Sequence, residues 1–204
     1  MVEVLAYDLP DSRLIDPLAE EPDWFFWVPD KVYLVLGQSN RASRSLITDR
    51  VIADEIPVLK RPSGGESVIL SPKTLVISVR LISEKLENPK VYFKQVNGAI
   101  IQGLQNMGIK DVGYRGISDI TIGNKKILGS SIYRKKNIVF YHAVLNIAED
   151  ISLIGKYLQH PSKEPDYRKG RDHGDFVTSI HEAGYSIDVE ALTEELEARI
   201  GGIG

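Results

Sequence analysis

The chain has 204 residues, of which 43% are hydrophobic and 26% charged, and this is the composition of a globular protein with a sizeable core. Its formal net charge of −3 at pH 7 lacks the basic excess that a general nucleic-acid binder needs. The absence of cysteine excludes disulfides, zinc–thiolate sites and a cysteine nucleophile, and it suits a reducing compartment. We therefore expect a globular protein without a nucleic-acid partner.

The N-terminal stretch "MVEVLAYDLPDSRL" contains acidic residues and no apolar segment, unlike a signal peptide. No run approaches the roughly 18 uninterrupted apolar residues that a membrane-spanning helix needs. These patterns predict a cytoplasmic protein with no membrane partner. Four short basic clusters could meet an acidic partner or a phosphate, or be solvated surface: 60–61, 125–126, 134–136 and 168–171.

Three segments in the first half of the chain are predicted to be strands or hairpins. Residues 31–37 ("KVYLVLG") and 74–82 ("TLVISVRLI") are rich in β-branched residues. Residues 56–70 are predicted to form a strand, a turn and a second strand, because Pro-Ser-Gly-Gly at 62–65 interrupts the apolar pattern.

Two helices have clear end signals. The first begins at a proline after the capping residue Asn88 and ends at Gly108. The second spans about 189–200, between the capping residue Asp188 and a pair of glycines that starts at Gly201. In the first helix an apolar residue recurs every four positions: Tyr92, Val96, Ile100 and Leu104.

The middle of the chain is predicted to form a hairpin over 119–132, and 138–147 is apolar on both faces and therefore a central strand. A short helix near 150–158 and a polar loop follow. Hairpins in the middle, with helices between and after them, predict an α+β fold. We expect one domain over 1–204, with a mixed, largely antiparallel β-sheet and its flanking helices on one side.

The hairpin brings polar side chains together. With Gly123–Asn124 as the turn, Thr121 lies opposite Lys126, and Asp119 lies one diagonal away on the same face, within reach of the lysine. Strict alternation places Ser130 on that face and Gly129 on the other, where a backbone or ligand could approach closely. From geometry alone, an edge hairpin with a surface ion pair is an equally open interpretation.

The stretch "KRPSGGESV" (60–68) places two glycines directly after a strand, so that backbone N–H groups can turn toward an anion. Arg61 and Ser63 could add donors. The stretch is neither a Walker loop nor a nucleophile elbow, because the required lysine and the Gly-x-Ser-x-Gly spacing are absent. Taken alone, it could equally be a tight turn.

Taken together and in this order, these segments resemble the lipoate–protein ligase A family of the biotin/lipoate A/B protein ligases. The resemblance runs from about residue 30 to 180 and implies the class II synthetase/biotin–lipoate ligase catalytic fold. "VLGQSN" (35–40) is also similar to a family motif. The main counterparts of the family motifs are "KRPSGGES" (60–67), "SD" (118–119), "KILGSS" (126–131), "YHAVLN" (141–146) and "KGRDHGDFVTSI" (169–180).

The resemblance implies a ligase that joins lipoate to ATP, with Mg²⁺, and then transfers the lipoyl group to a lysine of a lipoyl-domain acceptor protein. Lys126 matches the family's invariant lysine and is the implied catalytic residue. Asp119 would orient Lys126 or help to hold Mg²⁺. The other residues implied to line the acyl and adenylate pocket are Arg61, Ser63, Gly64, Gly65, Gly129, Ser130 and His142, although a lone histidine on an apolar strand is as often a core residue.

The chain departs from the family pattern at several places. Glu66 replaces the third glycine of the motif, and "LSPKT" (70–74) replaces a polar segment. The family's N-terminal helix is expected to be shortened to 16–29. The C-terminal accessory domain is expected to be absent, which leaves room for a separate accessory ligase subunit, or for an enzyme that performs only the transfer step.

Three alternatives share the fold. Acyltransferases of this fold use a cysteine, which this chain lacks, and biotin ligases carry a Gly-Arg-Gly-Arg-x-Gly loop that is absent here. A non-catalytic acyl-binding or lipoyl-domain-binding protein would carry Glu66 as the mark of a decayed site. An open apolar channel that ends at Lys126 would favour the ligase, and a cleft blocked by Glu66 would favour the binding protein. Lipoate and octanoate are not distinguished.

Overall fold

The computed structural model describes residues 1–16, 18, 22–85 and 87–203. The strands are β1 (Leu5–Ala6), β2 (Trp24–Trp27), β3 (Tyr33–Leu36), β4 (Val58–Lys60), β5 (Val68–Leu70), β6 (Thr74–Ile82), β7 (Val112–Arg115), β8 (Asp119–Ile122), β9 (Lys125–Lys135) and β10 (Ile138–Asn146). The helices are α1 (Ala42–Ser45), α2 (Thr48–Ala53), α3 (Pro89–Asn106), α4 (Ile151–Tyr157), α5 (His173–Phe176) and α6 (Val189–Ile200), and Pro10–Ile15 forms a 3₁₀ helix.

In the described part of the chain the strands form two sheets. The larger sheet has the order β2-β6-β10-β9-β8-β7, and every neighbouring pair is antiparallel. The smaller sheet has the order β1-β4-β3-β5, with β1 and β3 parallel to β4 and with β5 antiparallel to β3. The predicted α+β fold with a mixed, largely antiparallel sheet and flanking helices is confirmed.

Strand β10 separates two cores, because successive side chains point to opposite faces. Tyr141, Ala143 and Leu145 pack in the main core, which also contains the apolar face of α3 and residues of α6. Val144 points the other way and packs against the core that the smaller sheet contributes. With β6 and β9 on either side, β10 is central, as its apolar pattern predicts.

The prediction that all helices lie on one side of the sheet is wrong. Helices α3 and α6 cover one face of the larger sheet, and the smaller sheet covers the other. The smaller sheet has an apolar outer face of its own, where Leu34 and Leu36 pack with Val51 of α2 and Tyr157 of α4. An apolar face of this kind is stable only when it is buried, and α2 and α4 form a second layer of helices that buries it.

The two helices with strong end signals begin and end as predicted. The Asn88 side chain accepts a hydrogen bond from the N–H of Lys90, and Gly108 adopts φ of +85° just beyond the end of α3. Asp188 caps α6 by accepting from the N–H of Ala191. The apolar residues at every fourth position of α3 are all buried. None of the helices in the described ranges is long and apolar enough to cross a membrane.

The N-terminal region differs from expectation. Trp24–Trp27, inside the stretch expected to be a shortened helix, forms β2 and pairs with β6 at the edge of the larger sheet. A run of four aromatic residues favours a half-buried strand over a helix. Residues 17 and 19–21 of the same stretch lie outside the described part of the chain.

Candidate active site

The cleft between the two sheets contains two cavities, and of the predicted site residues all but Ser63 and Gly64 line at least one of them. The larger cavity has a volume of about 1090 Å³ and an apolar wall that includes Val35, Leu70, Val76 and Val144. The smaller cavity has a volume of about 570 Å³ and combines apolar residues with basic ones. Lys126 and Glu66 line both cavities, so the two cavities meet at Lys126.

The structure brings Lys126 and Asp119 together. The Nζ of Lys126 lies 2.8 Å from one carboxylate oxygen of Asp119, and the other oxygen accepts a hydrogen bond of 2.8 Å from the hydroxyl of Tyr167. The side chain of Lys126 is 29% exposed and that of Asp119 only 9%. The backbone carbonyl of Lys126 also accepts a hydrogen bond from the N–H of Thr178. Thr178 lies in 169–180, the last of the segments that resemble the family motifs. The lysine is therefore held at both its backbone and its ammonium group.

A β-bulge in this hairpin corrects the prediction for Gly129. The pairs next to the turn are as predicted, with Thr121 opposite Lys126, but the register then shifts by one and places Asp119 opposite Gly129. Gly129 consequently lies on the same face as Lys126. A Cβ atom added to Gly129 would lie 2.7 Å from both Cε and Nζ of Lys126. The missing side chain at Gly129 therefore makes room for the lysine itself.

The same shift moves Ser130 off the predicted face. Ser130 pairs with Ala143 on the side of the main core, and its hydroxyl donates to the carbonyl of Ser118 at 2.7 Å. Ser131 lies instead on the cleft side, opposite His142, and donates to the carbonyl of Gly64 at 2.9 Å. Ser131 was missed as a site residue because strict alternation was assumed across the bulge.

The side chain of Arg61 holds the glycine loop, which we define as residues 62–66, in one conformation. Its guanidinium donates to the hydroxyl of Ser63 (3.0 Å) and to the carbonyls of Val35 (3.1 Å), Gly64 (2.8 Å) and Glu66 (2.7 Å). These bonds take four of its five N–H groups. Burial lowers the pKa of Arg61 to about 10, which leaves it charged at neutral pH. The arginine lines the larger cavity, but most of its donors fix the loop.

The glycine loop is also fixed from outside by the segment 35–40. The N–H of Gln38 donates to the carbonyl of Ser63 at 2.9 Å, and a Cβ atom on Gly37 would lie 2.0 Å from the carbonyl oxygen of Gly65. Gly65 has φ of +86°, a conformation that favours glycine. The backbones of the two segments thus touch at Gly37 and Gly65, and both positions require glycine.

His142 is joined to the glycine loop by a short hydrogen bond. Its Nε2 lies 2.6 Å from the hydroxyl of Ser63, which itself accepts from Arg61. Burial, and secondarily the charge of Arg61, lower the pKa of His142 to about 3. The ring is therefore neutral at physiological pH. Because the Ser63 hydroxyl already accepts from Arg61, donation of its proton to Nε2 would use both capacities of the hydroxyl.

Replacement of Ser63 by alanine should destabilise the fold by about 1–3 kcal/mol, because it leaves the buried Nε of Arg61 and Nε2 of His142 without their partner. Urea unfolding measures the difference. The matched control is Ser67→Ala, whose half-buried hydroxyl makes only a 3.4 Å contact with Asn40. Equal stability of the two variants would show that the buried hydrogen-bonded chain contributes nothing.

Glu66, which replaces the family's third glycine, points its carboxylate at a segment that we call the strap (residues 159–170). The carboxylate accepts from the N–H of Lys163 at 3.0 Å and from the hydroxyl of Ser162 at 3.2 Å, and it lies 3.4 Å from the side-chain nitrogen of Asn40. Both cavities still reach Lys126, so Glu66 does not block the cleft.

The residues that the structure describes do not fit a Mg²⁺ site built by the protein alone. Both oxygens of Asp119 are already engaged, by Lys126 and Tyr167. Within the described ranges no group of three or more His, Cys, Asp or Glu side chains could hold a metal ion. Of the two roles expected for Asp119, this geometry favours orientation of Lys126.

Comparison with known proteins identifies the family. The family model described as "Lipoyl protein ligase A/B catalytic domain" matches residues 11–201. Lipoate–protein ligase 1 of Staphylococcus aureus is 26% identical over 154 residues, which is 75% of this chain and 46% of that relative. The chain spans about half the length of the first curated relatives that it matches.

Solved structures share the fold. A bipartite lipoate–protein ligase from Thermoplasma acidophilum, described with its E2 lipoyl domain, matches with a TM-score of 0.78 and 17% identity over 97% of this chain and 81% of that one. A lipoate–protein ligase A bound with ATP matches with a TM-score of 0.76 and 17% identity over 97% and 83%. The expected class II synthetase/biotin–lipoate ligase fold is confirmed. With a family model that covers most of its length, this chain belongs to the lipoyl protein ligase A/B catalytic-domain family.

Proposed function

We propose that this chain activates lipoate with ATP, giving lipoyl-adenylate and pyrophosphate, and transfers the lipoyl group to a lysine of a lipoyl-domain protein. The observation that carries the proposal is the ammonium group of Lys126, which Asp119 holds where the two cavities meet. Membership of the family supports the reaction class.

In the first step a carboxylate oxygen of lipoate attacks the α-phosphorus of ATP. A carbon–oxygen–phosphorus link forms, the bond from the α-phosphorus to the bridging oxygen breaks, and its electron pair leaves with pyrophosphate. Negative charge is spread over the phosphoryl oxygens during this exchange, and a fixed cation stabilises it most where water is largely excluded. Lys126 is such a cation, since its ammonium group is held by Asp119 and is only partly exposed.

In the second step the amine of the acceptor lysine attacks the lipoyl carbonyl, AMP leaves with the electron pair of the broken carbon–oxygen bond, and the amine loses a proton. Charge now develops on the carbonyl oxygen, next to the same phosphate, so Lys126 serves both steps. The apolar wall of the larger cavity takes the acyl chain. In this proposal Arg61, Ser63, Gly64 and Gly65 form the loop beside the acyl-phosphate. Neutral His142 lies behind that loop, hydrogen-bonded to Ser63.

The alternative of a non-catalytic binding protein depends on Glu66. A carboxylate aimed into the cleft would repel the carboxylate of lipoate and the phosphates of ATP. The Glu66 carboxylate is instead hydrogen-bonded to the strap, and both cavities extend to Lys126. This arrangement favours the ligase.

Two partners follow from the proposal. A lipoyl domain is the acceptor, and the exposed basic cluster 134–136 suits an acidic surface on it. An accessory ligase subunit is the second partner that we propose, because the T. acidophilum ligase with which this chain shares its fold is described as bipartite. Mg²⁺ would enter as the counter-ion of the triphosphate, since the described residues provide no cage for it.

Lipoate-dependent exchange between ATP and pyrophosphate, measured with the purified chain and Mg²⁺, tests the first step. We expect exchange above the rate without lipoate. If the chain shows no lipoate-dependent exchange, it should be given preformed lipoyl-adenylate and a lipoyl domain. Transfer of the lipoyl group in that assay would assign the chain the second step alone, with activation supplied by the accessory subunit. Absence of both reactions, even with an accessory subunit added, would reject the ligase and leave the binding protein.

A further inference from the structure

Tyr167 contacts the reaction centre from the strap. Its hydroxyl donates to Asp119 at 2.8 Å, on the carboxylate oxygen that Lys126 does not use. The ring packs against Phe176, with the two ring centroids 5.1 Å apart and the planes tilted by 43°. On another side it faces Gly116, where an added Cβ atom would lie 3.4 Å from the ring. Gly116 also has φ of +62° and so favours glycine. The phenol is therefore held in place by its packing as well as by its hydrogen bond.

The two contacts on Asp119 together determine the direction of Lys126. A carboxylate held at one oxygen can still rotate about its last bond, and a lysine paired with it follows that rotation. A donor on the second oxygen fixes the plane of the carboxylate. Burial and the nearby charge of Asp119 raise the pKa of Tyr167, so the phenol keeps the proton that it donates. The direction of the Lys126 ammonium group thus depends on a residue 41 positions further along the chain.

We propose that Tyr167 is a positioning residue, which aims Lys126 through Asp119 and makes the reactivity of the centre depend on the strap being in place. The proposal deepens the proposed function and depends on it for its activity measurements. The strap has a second anchor at Glu66, which contacts neither Asp119 nor Lys126 in the described structure. These two anchors allow positioning to be separated from simple attachment of the strap.

The test compares Tyr167→Phe with Glu66→Gln. We expect Tyr167→Phe to lower kcat for ATP–pyrophosphate exchange about tenfold or more and to leave KM for ATP and lipoate within about twofold, because the ammonium group is misdirected while the cavities are unchanged. Glu66→Gln should mainly raise KM, because it loosens one wall of the cleft. Tyr33→Phe is the matched control: it removes a 2.7 Å tyrosine–aspartate hydrogen bond outside the site and should leave both constants unchanged.

A second readout is independent of ligase activity. Acetic anhydride at limiting concentration acylates most readily those lysine amines that it can reach and that are not held in an ion pair, and mass spectrometry compares Lys126 with the exposed Lys135. Tyr167→Phe should increase the relative labelling of Lys126 at least threefold, and Glu66→Gln should not. If the wild-type chain proves inactive in both reactions but labelling follows this pattern, the proposed function fails and the positioning of Lys126 by Tyr167 stands. Unchanged labelling in Tyr167→Phe, or the same kinetic effect from Tyr167→Phe and Glu66→Gln, would overturn the inference.

Discussion

Lys126→Met should reduce the rate of lipoate-dependent ATP–pyrophosphate exchange by about 10²–10³-fold, mainly in kcat. Methionine has a similar length and apolar stem, so it removes the charge while largely filling the same space. The lost rate corresponds to one preorganised charge that acts on the phosphoryl group and carbonyl oxygen in the transition state. Lipoate and ATP would still bind, because the glycine loop and the other residues of the cavity walls are unchanged.

The matched control for this variant is Lys125→Met. Lys125 is the neighbouring residue on β9 and lines neither cavity, so its loss should leave the exchange rate within about twofold of wild type. Lys126→Arg provides an intermediate case, because it keeps the charge but places a planar group where Gly129 leaves room only for an ammonium group. Exchange by Lys126→Met at a rate close to that of Lys125→Met would remove Lys126 from the mechanism.

Gly129→Ala should lower the rate of adenylation by about tenfold to 10²-fold while changing the stability of the fold little. The new methyl group would meet Cε and Nζ of Lys126 at 2.7 Å. The atoms that must move are the flexible end of a side chain, so the backbone is not strained. The ammonium group is instead pushed away from Asp119, and a displacement of about 1 Å of a catalytic group can cost about 10²-fold in rate.

Gly113→Ala is the control for the glycine substitution. Gly113 lies on β7, the edge strand of the same sheet, and a Cβ atom there would have no neighbour within 4 Å. Both variants should unfold at similar urea concentrations, and only Gly129→Ala should lose activity. An active Gly129→Ala would mean that Lys126 need not occupy the observed position during the reaction.

The sequence predicted those features that short-range patterns determine. The ends of α3 and α6 depend on a capping side chain and a glycine a few residues away, and both were located within a residue or two. The proximity of Lys126 and Asp119 follows from a two-residue turn between them, which sets the register of the pairs next to it. The central position of β10 follows from its apolar residues on both faces.

Features that depend on distant contacts were not predictable in this way. The turn pattern contains no sign of the β-bulge, so strict alternation placed Gly129 and Ser130 on the wrong faces. The contact of Tyr167 with Asp119 joins residues 48 positions apart, and the contact of Glu66 with Ser162 joins residues 96 positions apart. Tyr167 stands in no pattern that would mark it, and the departure at Glu66 from the family motif gives no sign that its carboxylate contacts the strap. Both contacts exist only after the strap has folded over the cleft.

The β-bulge also affects how much the length of this hairpin can vary. Surface turns between strands usually tolerate the gain or loss of a residue. Here Lys126 lies on the turn side of the bulge, whereas Asp119 and Gly129 form a pair on the other side. The register of that pair is also fixed by the pairing of Gly129 with Val144 of β10. A single insertion or deletion at Gly123–Asn124 would move the lysine relative to its carboxylate partner without moving that partner. This hairpin should therefore keep a constant length among active relatives, even though its tip is exposed to solvent.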